Sequence, residues 1–160
     1  FEIELQTLIS LYNEIDSKIN SIDKQISTII KELNPRMLSI PGLGEISAAN
    51  ILSEYGDISL FSSSNKMLAF AGLEPSVIQS GTLQSNGKMV KHGSPHLRNY
   101  LMQSAEKMLA HNPILYEYYL NKRDKGKHHN VALSHIARRL CRIIFYLEKN
   151  DTDFDINKMR

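Results

Sequence analysis

The chain has 160 residues and a formal charge of +2, and 42% of its residues are apolar and 22% charged. That is the balance of a water-soluble globular protein with room for one domain and an appendage. No run of about 18 apolar residues could cross a bilayer, no signal-peptide pattern opens the sequence, and the single cysteine, Cys141, cannot form an internal disulfide. A protein of a reducing cytoplasm, without membrane contact, is expected. The chain begins at Phe1, already within a helical pattern, as a piece of something longer would. Its small net charge hides an asymmetry. Residues 1–85 carry 5 Lys/Arg against 10 Asp/Glu, whereas residues 86–149 carry 12 against 4 and all six histidines. A basic half of this kind is the electrostatic footprint of a partner that is a polyanion.

Leu5, Leu8, Tyr12, Ile15, Ile19, Ile22, Ile26, Ile29 and Leu33 alternate in steps of three and four. That spacing predicts a coiled-coil arm over residues 1–34, with a seam roughly 42 Å long at 1.5 Å per residue. Such a seam needs a partner, and a homo-oligomer joined through the arm is expected. Pro35 stops the helix by excluding its predecessor from helical geometry.

The next stretch, Met37 to Leu52, holds Gly42-Leu43-Gly44 before a helix with small residues at Ala48 and Ala49. It resembles the hairpin of a helix-hairpin-helix module, in which Gly42 and Gly44 permit a tight turn and leave helix-start amides facing a phosphate. Glu45 would compete for those amides. A ligand-free helix–helix turn is the alternative. One of Ser62, Ser63 and Ser64 caps a short helix to Ala71, which Gly72 closes.

Residues 73–93 then form a long Ser-, Gly- and Lys-rich loop, with at most a short irregular hairpin inside it. Loops of more than about 12–15 residues in a compact domain are usually functional or disordered. Ser94 caps and Pro95 starts the following helix, Asn112-Pro113 starts another, and Asp124 to Asn130 is a polar basic break. The last helix, about Val131 to Lys149, packs Leu133, Ile136, Leu140, Ile144 and Leu147 and displays Arg138, Arg139 and Arg142. Residues 150–160 are too polar for a core and are predicted to fray. The fold class is all-α, with a multi-helix domain over 36–149.

Chemistry-bearing patterns are few. His128 and His129 are adjacent and diverge on any regular element, and Gly93-Ser94-Pro95 interrupts His92 and His96, so no metal site is predicted. Cys141 reads as a small core residue. The loop remains. Gln79-Ser80-Gly81 sets a hydroxyl beside a glycine, followed by Lys88, Lys91, the helix start at Ser94 and then Arg98. Lysine offers a point charge and arginine a bidentate fork for phosphate. With Lys125, Lys127, Arg138, Arg139 and Arg142 these are the candidate nucleic-acid contacts. Serine alone is inert at neutral pH and needs activation, so these residues by themselves leave the nucleophile open.

Four blocks in order, GLGEISAANIL, LAFAGLEPSVIQSG, KMVKHGSPHLRNYLMQSA and the run from Ala132 to Ile144, resemble one family. It is the C-terminal transposase domain of the IS-one-ten class of insertion sequences, RNA-guided DNA recombinases, and the likeness covers roughly residues 36–148. The arm is similar to the coiled coil that precedes this domain in the family. The resemblance implies that Ser80 is the catalytic nucleophile and that DNA and a structured guide RNA are partners. It also implies a RuvC-like domain with an acidic tetrad for Mg²⁺, which this sequence does not contain, so that no cofactor is expected within the chain itself and the chain alone is expected to be inactive. A non-catalytic helix-hairpin-helix nucleic-acid-binding module with a dimerisation arm is the alternative.

Overall fold

The computed structural model describes residues 1–80, 83–89 and 92–159, with the backbone alone described over 75–80 and 83–89 and at 159. Gly81 and Lys91 lie outside the described residues. Six α-helices and a two-stranded hairpin follow one another: α1 (Glu2–Leu33), α2 (Glu45–Tyr55), α3 (Ser64–Phe70), β1 (Pro75–Ser80), β2 (Leu83–Met89), α4 (Pro95–His111), α5 (Pro113–Asp124) and α6 (His129–Asn150). Short 3-10 turns occupy Arg36–Ser39, Ile58–Leu60 and Ile156–Met159.

The helix starts obey capping chemistry. Ser63, Ser94 and Asn112 each accept a hydrogen bond from the backbone N–H three residues on, satisfying one of the otherwise unpaired amides of the first turn. Proline follows directly at the first helical position of α4 and α5. The helical class read from the sequence is therefore the class of the compact domain. The loop is where the structure differs. Residues 75–80 and 83–89 form an antiparallel ladder with Val77 opposite Asn86 and Ser80 opposite Leu83, and a register shift lies between Pro75 and Val77.

α6 is the central helix. It packs against α3, α4 and α5 and against the first two 3-10 turns, and Ile136, Leu140, Cys141 and Ile144 are fully buried along it. Around it Met37, Ile51, Met67, Leu101, Met108 and Leu115 complete one continuous core. Burial of this kind is the main term holding the helices together, since isolated helices of such lengths are marginal in water.

The arm docks on the body by a different face from the heptad seam. Ile30, which lies off the seam, is 3% exposed, while Ile29 and Leu33, which lie on it, are 55% and 66% exposed. Ile26 belongs to the seam and also packs against the core. Lys31 pairs with Glu45 at 3.3 Å and so ties the arm to the start of α2. From Leu5 to Ile22 the seam faces solvent within a single chain.

Within the segment expected to fray, residues 151–154 make contacts with the body. Arg36 Nε donates to Asp151 Oδ1 at 2.6 Å and its Nη1 to Asp153 Oδ1 at 3.3 Å. The Phe154 amide donates to Ser39 Oγ at 2.8 Å, and its ring packs on the core. The segment's contacts are exposed ion pairs, one amide–hydroxyl hydrogen bond and one partly buried aromatic ring. The Arg36 guanidinium holds the Asp151 carboxyl below its ordinary value.

Candidate nucleic-acid interface

The long segment between α3 and α4 leaves and re-enters the body at one tightly packed point. Gly93 sits so close to the end of α3 that a Cβ there would collide with Phe70 O and the Gly72 amide and come within 2.6 Å of the Ala71 carbonyl carbon. No other residue type fits without moving backbone. Two arginines fasten the outgoing strand beside it. Arg98 Nη1 donates to Ala71 O at 3.3 Å, and Arg138 Nε donates to Leu73 O at 2.6 Å. Ser94 is fixed as well, since its hydroxyl donates to Glu54 Oε2 at 2.6 Å while accepting from the Leu97 amide at 3.2 Å. The hairpin thus rises from a root held by α2, α3, α4 and α6.

This arrangement changes the reading of several residues. Arg98 and Ser94, expected to face a ligand, are engaged with protein partners at the root, and so is one nitrogen of Arg138. Arg138 is not freely displayed. Burial holds its guanidinium below the usual value, and neighbouring Arg142 pushes the same way. Ser80 is the last residue of β1 and pairs with Leu83, and Lys88 lies in β2. Gly42 (φ 90°) turns against the end of α4, where a Cβ would stand 3.0 Å from His111 Cδ2 and 3.1 Å from Lys107 O. Its smallness therefore serves packing. Gly44 is the N-terminal cap position of α2 and has open space around it, but the Glu45 carboxylate already sits at that helix end. Hydrogen bonds from Ser27 and Lys31 hold this carboxyl below its ordinary value. Lys125 and Lys127 are exposed between α5 and α6, where Lys127 O accepts from Arg123 Nη1 at 2.8 Å.

A cleft of about 540 Å³ opens directly under the hairpin root. α6 supplies His135, Arg138, Arg139 and Arg142, α5 supplies Tyr118, α3 supplies Asn65 and Leu68, and Glu74 precedes the hairpin. The Tyr118 ring carries two cations near it, with Lys122 Nζ 4.9 Å and the Arg139 guanidinium carbon 4.8 Å from its centroid. The His135 ring meets the same tyrosine edge-on at 6.5 Å. Burial and the charges of Arg138, Lys122 and Lys127 together lower the His135 pKa. Tyr118, His135 and Glu74 were missed from the sequence. The signal was present for one of them, because His135, Arg138, Arg139 and Arg142 follow the i, i+3, i+4, i+7 spacing of one helix face.

Among the described residues no group of three or more His, Cys, Asp or Glu could hold a metal ion. No described helix is long and apolar enough to cross a membrane.

The layout is that of a helical domain that gathers positive charge around the root of a projecting hairpin. The chain belongs to the IS116/IS110/IS902 transposase family, whose sequence model matches residues 34–120. It is similar to the insertion element IS110 uncharacterized 43.6 kDa protein of Streptomyces coelicolor, 29% identical over 123 residues that make up 77% of this chain and 30% of that one. It is also similar to the transposase for insertion sequence element IS1111A of Coxiella burnetii, 36% identical over 76 residues, 48% of this chain and 21% of the relative. The pilin gene-inverting protein of Moraxella bovis is 28% identical over 129 residues, 78% of this chain and 40% of the relative. The chain therefore spans 40% or less of each of these relatives.

Proposed function

We propose that the chain is the C-terminal portion of an insertion-sequence transposase that binds DNA and a structured guide RNA and supplies Ser80 as the nucleophile for strand cleavage and exchange. The observation that carries this reading is the hairpin. Ser80 ends β1 beside the two-residue connection to β2, on a strand pair whose root is fastened by Arg98, Arg138 and the Gly93 contact. A reactive group benefits from being carried on a rigid element, because misplacement by about 1 Å can cost about a hundredfold in rate. The family membership and the basic half of the chain support nucleic acid as the substrate class.

In the proposed step Ser80 Oγ forms a bond to phosphorus and the P–O bond to one deoxyribose breaks. The serine proton leaves and the departing oxygen regains one. The strand is then held as a phosphoserine ester, and because the bond count is unchanged, rejoining needs no nucleotide cofactor. Mg²⁺ is proposed to be held by a RuvC-like domain of the whole protein. In the full-length protein, Ser80→Ala is expected to abolish the covalent protein–DNA adduct on denaturing gels while leaving binding intact. Persistence of the adduct would remove Ser80 from the mechanism.

The solvent-facing seam of α1, with Leu8 64%, Tyr12 69% and Ile22 55% exposed, supports pairing with a second copy. Changing Ile19 and Ile22 to Lys is expected to halve the sedimenting mass of the chain at micromolar concentration. An unchanged mass would rule out the arm as the joint.

A further inference from the structure

We propose that the cleft between α3, α5 and α6 is a phosphate-binding site for the sugar–phosphate backbone of a nucleic-acid strand, and that Arg138 links its occupancy to the hairpin root. This rests on the nucleic-acid reading above and names where on this chain the backbone would be held. Four lines of geometry lead to it. Arg138, Arg139 and Arg142 converge on one concavity with a single lining carboxylate, Glu74, and among the described residues neither Arg139 nor Arg142 forms an ion pair. Gathering like charges is unfavourable until an anion joins them. Both cations beside Tyr118 are held in place by the ring, and a guanidinium stacked on an aromatic face keeps its N–H edge free for a phosphate oxygen.

The cleft offers backbone recognition without base reading. Lys122 and Arg139 both lie over the Tyr118 ring, so a base stacking on it would compete with a cation. Contacts from arginine to phosphate fix position and carry no sequence information. Finally, Arg138 spends its Nε on Leu73 O, and its two remaining nitrogens are the ones available to a ligand. A phosphate that orders this guanidinium therefore also orders the strand entering β1.

His135 is the built-in reporter. Its charged and titratable neighbours are Arg138 on its own helix, Tyr118 and Lys122 on α5 and Lys127 in the connection, and it shares the cleft lining with Arg139 and Arg142, also on α6, and with Glu74. Burial and positive neighbours hold its pKa below the ordinary imidazole value, so an entering phosphate raises it and binding takes up a proton.

The test follows the His135 imidazole by NMR from pH 5 to 8 in the 160-residue chain, free, with a saturating single-stranded DNA oligonucleotide, and with inorganic phosphate at equal concentration. Oligonucleotide affinity is measured alongside against salt for the wild type, for Arg139→Gln/Arg142→Gln, and for a charge-matched control, Lys18→Gln/Lys24→Gln on the arm. The expected result is a rise of the His135 pKa with the oligonucleotide that inorganic phosphate does not match. The arginine pair should lose about tenfold or more in affinity, with the log K against log salt slope shallower by about one, while the control is unchanged. Oligonucleotide binding with an unmoved His135 and unaltered slope would overturn the cleft and leave the nucleic-acid reading standing. No oligonucleotide binding would end both. An equal shift with inorganic phosphate alone would make this a small-anion site and overturn the strand assignment, as would equal losses in the control.

Discussion

Gly93→Ala is expected to destabilise the domain by about 3 kcal/mol, the upper part of the range for overpacking, and to loosen the hairpin root before the rest of the fold. The reason is that the new methyl group meets backbone: Phe70 O, the Gly72 amide and the Ala71 carbonyl carbon. A side chain can rotate away from an intruder, whereas these atoms end α3 and cannot move without taking Leu73 and the Arg98–Ala71 hydrogen bond with them. Urea unfolding would show the loss, and amide exchange over Ala71–Glu74 would show that it starts there. A melting curve unchanged within error would mean that the strand entry is far more pliant than its packing indicates.

Tyr55→Ala is expected to cost about 3–5 kcal/mol, as for other large aromatic truncations in a core. In a domain of this size that is a drop of roughly 10 °C in Tm. Tyr55 is 6% exposed and touches Phe61 and Phe70 at centroid distances of 5.6 and 5.8 Å. Its hydroxyl donates to Met67 O at 3.2 Å and lies 3.2 Å from Cys141 Sγ. Tyr55→Phe keeps the ring and should cost only about 1 kcal/mol, so the two variants separate packing from hydrogen bonding. The same pair gives an alkaline signature. Burial raises the phenol and pushes the Cys141 thiol up to about 11. Both acids stay protonated in the fold at a pH where the unfolded chain ionises them. Their contribution is complete below the unfolded values, about 8.5 for a thiol and about 10 for a phenol, and is lost as pH rises from there toward the folded ones, at about 1.4 kcal/mol per pH unit for each group titrating only when unfolded. Urea midpoints between pH 8 and 10.5 would trace it.

The helices were legible because their signals are local. Ser94-Pro95 and Asn112-Pro113 announce starts, and the apolar spacing of α6 announces its buried face. The hairpin was legible only as a short irregular one inside the loop. β2 is LQSNGKM, a strand with a glycine inside it and no β-branched residue, so intrinsic preference says loop and only pairing with β1 makes it a strand. The arginines teach a related point. Composition counted their charge correctly, yet the partner of Arg98 is 27 residues away and that of Arg138 is 65 away, and both partners are main-chain carbonyls. No local pattern encodes such a contact. At the arm, periodicity identified a seam but not the docking face, because Ile30 is one isolated apolar residue beside a strong heptad. The polar composition of residues 150–160 concealed an aspartate–arginine tether for the same reason.

The single hydrogen bond from Arg138 to Leu73 O has a thermodynamic corollary. Two events that share one guanidinium influence each other by the same factor in both directions. A ligand that steadies the arginine stiffens the projecting strands, and any force that drags those strands out of line must weaken the grip on that ligand by an equal amount. Release of a strand could then begin at the far end of the hairpin and be felt, through one side chain, on the body of the domain.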